Sequence, residues 1–369
     1  MLHEGLPPEE RYYYKHLDPL ARVLYLRIIE NYLRLDFSYS YRGDEERYAS
    51  FRAFEAIRWD YPELFPIQMT LAVGVTEENC EEYLRVAEDG TETIIERTYY
   101  TREEAEGLLA KLDAIYHSFD EITDPFELEL AAYTYAIENF EYAYENRDFV
   151  DKEFDEFFTV AGLMRNGRGV CAAYTRFIQY ILQRRGIPAV AICQNTERGN
   201  DDTAHAWLAV MIDGEYYHLD ATFDEGNEKD PELFPYRNFN VTDDEIAADR
   251  DLDRSLYPDV VCHATAANYY HRRGLYFMTD DEVIEGVRRF ARESEPTDKE
   301  RLYFYFRMPP GHKSRELFAR LPKELVGHTK ARWIATANDD EMGWYYIEFG
   351  YGKTDAEKAA EDKEEADEN

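Results

Sequence analysis

Positive charge is scarce in this chain: 42 Lys and Arg stand against 77 Asp and Glu, a formal net charge of -35. Nucleic acid and anionic membrane surfaces are recognised by clustered cations that neutralise phosphate, so this balance argues against both as partners. Cysteine is scarce as well. The four, Cys80, Cys171, Cys193 and Cys262, lie far apart without a Cys-x-x-Cys pair, too sparse for a disulfide scaffold and wrongly spaced for a zinc site. Reduced thiols are expected, one of which can serve as a nucleophile, with Cys193 and Cys262 as small buried hydrophobes. No window is long and apolar enough for a transmembrane helix. The start, Met1-Leu2-His3-Glu4-Gly5-Leu6-Pro7-Pro8, has no basic segment followed by an apolar run. As it stands the sequence predicts a cytoplasmic protein, or an exported one if a processed leader preceded it.

Metal and cofactor signatures are also thin. His263 and His271 stand eight apart with no carboxylate pattern around them. The run Asp249-Arg250-Asp251-Leu252-Asp253 alternates acids as a calcium loop does, but lacks the central glycine and closing Glu, and reads as a solvated loop. The expectation is therefore no metal and no cofactor.

What the chain does have is apolar and aromatic material. Of 369 residues 44% are apolar, and 31 are tyrosines, enough to build real cores and to argue against disorder over most of the length. From about residue 8 to 65 the pattern is helical, with a stripe through Leu17, Leu20, Val23, Leu24, Ile28 and Tyr32 and a second stretch from Glu45 towards Trp59, closed by Pro62. Residues 66–100 are β-like, with Asp89-Gly90 as the turn between Glu82–Ala87 and Thr91–Tyr100. Helical periodicity returns over Glu103–Tyr116 and from Pro125 to about Tyr144. Late in the chain come a helix over Asp280–Arg292, a strand over Arg301–Arg307, a helix over Lys313–Leu321 and strands around Trp333 and Tyr345. Residues 353–369 are charged, mostly acidic and without aromatics, and are expected to be disordered.

The chemically suggestive residues fall between 155 and 275. Gly167-Arg168-Gly169-Val170-Cys171 precedes an amphipathic helix with Tyr174, Phe177, Ile178, Ile181 and Leu182 on its apolar face, closed by Gly186 and Pro188. Cys171 thus sits at a helix start, where backbone N–H groups and the positive dipole end favour a thiolate. Gly169 permits a close approach of substrate backbone. Downstream, Asp213-Gly214 separates two β-like runs and signals a two-residue hairpin. If Ile212 pairs with Glu215, Trp207 lies opposite Asp220 and His205 opposite Thr222. All four then share one face, because side chains alternate with period two. His205 and Asp220 become diagonal neighbours, about 7–8 Å apart at the backbone, a gap their side chains can bridge. His218 shares that face nearer the turn, where a surface role is expected. A thiol at a helix start and a His–Asp pair on adjacent strands supply a nucleophile, a base and an orienting carboxylate.

The order Gly-Val-Cys, His-Ala-Trp and Asp-x-Thr-Phe, with the Asp-Gly turn between the last two, resembles the transglutaminase-like superfamily over roughly residues 155–225. The resemblance implies an α+β, papain-like core, with a helix bearing the cysteine packed on an antiparallel sheet bearing the histidine and aspartate. It further implies Cys171 as nucleophile, His205 as base and Asp220 as orienter, with Trp207, Tyr174 and Phe223 beside the cleft. Phe223 stands where many members have Trp, and Ala173 where a glycine is common. Trp59-Asp60-Tyr61-Pro62-Glu63-Leu64-Phe65 and Asn268-Tyr269-Tyr270 resemble segments bracketing this core in bacterial multi-domain proteins. The organisation expected is a mainly helical region with a hairpin over 1–124, the core over 125–275, a small α+β unit over 276–352 and the tail over 353–369. The activity expected is acyl transfer on a peptide or protein amide through a thioester, hydrolysis ahead of cross-linking. The other readings are a non-catalytic binding module on the same fold, or an arylamine-type acyltransferase.

Overall fold

In the computed structural model the residues described are 5–65, 84–95, 100–144, 156–194, 205–225, 234–248, 250–294 and 301–351. Cys80, Gly199-Asn200-Asp201-Asp202, Asp249 and residues 352–369 lie outside them. The chain divides into two compact units: one takes in residues up to Glu225 together with Asn238–Ala267, the other residues 226–237 and those from Asn268 onward. Among the described residues no helix is long and apolar enough to cross a membrane.

The first unit begins with the helix Pro19–Tyr32, started by Asp18, whose carboxylate accepts from the Leu20 and Ala21 N–H groups. It buries Ala21, Leu24, Tyr25, Ile28, Ile29 and Tyr32 and leaves Val23 exposed, so the apolar stripe is rotated from the one the sequence suggests. The helical reading of residues 8 to 65 is corrected between its two stretches. Strand β1 (Ser38–Arg42) intervenes, and its period-two pattern puts Tyr39 and Tyr41 inside and the serines outward. It pairs with the hairpin expected around Asp89-Gly90, β2 (Leu84–Val86) and β3 (Thr91–Ile95), in the order β1-β3-β2. The helix Gly43–Asp60 follows β1, and Asp60 at its end is buried, accepting from the Tyr13 and Tyr14 N–H groups and the Tyr25 hydroxyl. Trp59–Phe65 is thereby a fastening of the N-terminal helices: Tyr61, Glu63, Leu64 and Phe65 are all buried.

The helices Arg102–His117 and Pro125–Asn139 follow, the first opened by a Thr101–Glu104 capping box and the second by Asp124. The second ends before Tyr144, because Glu141–Tyr142 leaves helical geometry to form β4, parallel to β5 (Arg168–Gly169). Between them the helix Val160–Asn166 is closed by Gly167 at φ 68°, a left-handed conformation open to glycine without penalty. The helix Cys171–Arg184 then packs on a four-stranded antiparallel sheet of β6 (Ala189–Cys193), β7 (Ala206–Ile212), β8 (Glu215–Leu219) and β9 (Phe239–Val241), in chain order. The β7–β8 register runs from Ile212↔Glu215 to Leu208↔Leu219, as the turn requires, with Asp213 and Gly214 both at positive φ. Helix on antiparallel sheet makes this an α+β fold.

The second unit is an antiparallel sheet of β10 (Arg301–Arg307), β11 (Trp333–Asp339) and β12 (Trp344–Gly350), with β12 central. The helices Asp280–Glu293 and Arg315–Glu324 complete its core through Val283, Ile284, Val287, Leu317 and Leu321 against Phe304, Phe306, Tyr345 and Ile347.

Candidate active site

Cys171 is the first residue of its helix and almost fully buried. Val170 before it offers no side-chain cap. The phenol of Tyr142 on β4 lies close to Cys171 and interacts with it electrostatically. The pairing of Tyr142 with Gly169 brings the two there. Burial first, and then the sulfur, hold the Tyr142 phenol well above its ordinary range. The helix is tied to the sheet by Thr175 Oγ1 donating to the Ala206 carbonyl at 3.1 Å.

His205 stands one residue before β7, and its carbonyl accepts from the Gln194 N–H at 2.9 Å, which continues the β6–β7 ladder to the histidine. Nε2 lies 2.7 Å from Asp220 Oδ2. Nδ1 is then the ring nitrogen left for the thiol. Burial alone would lower the imidazole pKa; the Asp220 carboxylate outweighs it and, with the Cys171 sulfur adding, the group is pushed up to about 10.

Asp220 is buried at the end of β8. Burial would raise its carboxyl, yet His205, Arg250 and Thr222 together hold it down at about 2. Its Oδ1 accepts from the Thr222 N–H at 3.2 Å and hydroxyl at 2.8 Å. Its backbone is pinned by the Asn238 carbonyl at 3.0 Å and the Tyr133 hydroxyl at 3.0 Å. A carboxylate with every donor in place orients an imidazole without taking its proton.

The residues expected around the cleft separate. Phe223 is half exposed, with its ring 4.9 Å edge-on from the imidazole. Trp207 is buried and stacks behind His205 at 5.9 Å and 21°. Tyr174 is buried and packs against Phe140. Gly169 is buried too: a Cβ there would meet Ala173 Cβ at 2.7 Å and Leu163 Cδ2 at 2.8 Å, so its lack of a side chain serves helix packing.

His218 corrects the expected surface role. It is fully buried, accepting from Trp207 Nε1 at Nδ1 (3.0 Å) and facing Asp243 Oδ1 through Nε2 (2.9 Å). The sequence places it near a turn, but β9 covers that end of the sheet and pairs Val241 with it. His218, Asp243 and Cys262 offer ligand atoms within 4.8 Å of one another. The donor set does not fit a metal ion: with Nδ1 accepting from the indole, Nε2 carries the proton, and a metal there would demand an imidazolate. Arg254 also occupies Asp243 Oδ2. Cys193 and Cys262 are thiols pushed up to about 12, chiefly by burial.

Two neighbours of the site were not legible in the sequence. Tyr142 lies in an aromatic alternation, Phe140-Glu141-Tyr142-Ala143-Tyr144, that reads equally as a helix end. Arg250 lies in the run taken for a solvated loop, and that reading is corrected: its side chain is buried and its Nε donates to Asp220 Oδ2 at 2.8 Å.

No curated protein matches the chain. The sequence model of the transglutaminase-like superfamily matches residues 115–221, a span that ends just after Asp220 and contains Cys171 and His205. Over this span the chain is similar to the transglutaminase-like superfamily.

Proposed function

We propose that the protein is a cysteine-nucleophile acyl-transfer enzyme acting on peptide or protein amides, with Cys171, His205 and Asp220 as its catalytic residues and residues 125–275 as its core. The single observation that carries the reading is the His205–Asp220 contact of 2.7 Å, with the Cys171 sulfur near enough to add to the upward shift of the imidazole. His205 takes the Cys171 proton, and the thiolate adds to the amide carbonyl. The C–N bond of the tetrahedral adduct breaks, His205 returns the proton to the departing nitrogen, and a thioester remains. Water or an amine then attacks the thioester, giving up a proton through His205 to the sulfur as the C–S bond breaks. The Cys171 N–H at the helix start is one donor to the oxyanion.

Hydrolysis is favoured over transamidation, as the general fate of a thioester that water can reach. Incubation with a panel of peptides and with glutaminyl substrates plus a primary amine tests this. Turnover that is lost in Cys171→Ala supports the reading, and the product identifies the acceptor. No Cys171-dependent turnover on either panel counts against it.

A further inference from the structure

We infer that Arg250 is the positioning residue of this site, holding the Asp220 carboxylate and balancing its charge on the proton that His205 and Cys171 exchange. The inference rests on the acyl-transfer reading above. The Arg250 Nε and His205 Nε2 meet the same oxygen of Asp220, at 2.8 and 2.7 Å. One buried carboxylate therefore faces two cations when the imidazole is protonated. Nη2 of Arg250 donates to Asn238 Oδ1 at 3.1 Å, and Asn238 is in turn held by Asp224 at 2.7 Å. The guanidinium carbon lies 3.7 Å from the centroid of the Phe223 ring, whose edge meets His205. Arg250 thus touches both neighbours that steer the imidazole, the carboxylate on one side and the aromatic on the other. This dual contact is why it is a positioning residue.

The charge argument follows from where these groups sit. In a site removed from water, Asp220 without Arg250 would act with its whole charge on His205. The imidazolium would hold its proton more tightly and become a poorer acid towards a leaving amine. The thiolate would meet an uncompensated anion and form less readily. Both titrations move to higher pH. The other groups facing the pair are Tyr142 from β4, Cys193 from β6 with Arg176 beyond it, and His218 from β8 with Arg254 beyond it. Tyr133 and Asp224 lie behind Asp220. Of these cations, Arg250 makes the direct contact with the triad carboxylate.

The experiment compares wild type, Arg250→Gln and Arg250→Lys, each first checked for folding by near-ultraviolet circular dichroism. Two readouts are taken: the pH midpoint of Cys171 alkylation, and the His205 titration by nitrogen-15 NMR, assigned by its loss in His205→Asn. In Arg250→Gln both midpoints should rise by at least about half a pH unit. In Arg250→Lys, which keeps the charge, the His205 midpoint should stay within about 0.3 units of wild type. A folded Arg250→Gln with both midpoints unmoved overturns the inference. So does a folded Arg250→Lys whose His205 midpoint rises by more than half a unit, even if the Gln variant fails to fold. Wild-type Cys171 labelling like an ordinary thiol would instead sink the acyl-transfer reading, leaving the His205 titration to decide the role of Arg250.

Discussion

The indole N–H of Trp207 donates to Nδ1 of His218 at 3.0 Å, and this bond decides what both residues do. It fixes the His218 tautomer with the proton on Nε2, directed at Asp243. It also holds the Trp207 ring in place as the backing on which His205 stacks. Burial, reinforced by Arg254 and Arg250, pushes His218 down to about 3, so it stays neutral.

A stability prediction follows from that shift. The folded pKa lies below the unfolded value of about 6.5, so the contribution is present above that pH and is lost as pH falls towards 3. His218→Gln should flatten this part of the stability curve and leave less to lose in acid. Urea titrations at pH 7, 5 and 4 measure it. An acid slope equal to that of wild type would show that His218 is not the group being protonated.

Cys171 should alkylate quickly well below the ordinary free-thiol range near pH ~8.5, and His205→Ala should remove that advantage. Mass spectrometry of the labelled peptide against pH gives the rates. Equal profiles in the two proteins would mean that the imidazole does not activate the sulfur.

Asp220→Asn should keep the fold but allow the His205 ring to take the wrong tautomer. Any Cys171-dependent turnover should fall by at least about 100-fold. Because Asp220 is held at about 2 in the folded protein, its own protonation should not shape the activity profile above pH 4. A variant with most of the wild-type rate would remove Asp220 from the mechanism.

Glu129 is buried on the helix Pro125–Asn139, where one oxygen accepts from Asn240 Nδ2 at 2.7 Å and the other has no hydrogen-bond partner. Burial pushes its carboxyl up to about 8. A carboxyl raised in this way stabilises the fold below its unfolded pKa, and the contribution is lost as pH rises through the folded value. Glu129→Gln, which stays neutral, should therefore be the more stable protein at pH 9 by on the order of 1 kcal/mol or more. Thermal melts at pH 5 and pH 9 test this; a Glu129→Gln variant with an unchanged alkaline loss would show another group responsible.

Gly169→Ala should destabilise by about 1–3 kcal/mol, the usual range for forcing a methyl into close packing. The methyl would strike Ala173 and Leu163. Denaturant midpoints check it, and a neutral effect would mean that the Cys171 helix can shift outward at no cost.

Much of the site was readable because its parts are local. The Asp213-Gly214 turn sets a two-residue register, and the register alone carries His205 and Asp220 onto one face of the hairpin. The apolar spacing after Cys171 sets a helix, and the position of the cysteine at its first residue follows. Strand β1 was hidden because five residues between two helices give too short a pattern to stand against the helical periodicity around it. The tertiary structure alone decided which groups surround Cys171, His205 and Asp220. Arg250, Tyr142 and the Trp207–His218–Asp243 chain come from segments up to 108 positions apart, counting Arg250 less Tyr142, and are joined by no spacing rule. Short-range periodicity places a side chain on a face of its own element, while the partner it finds depends on which other elements pack against that face.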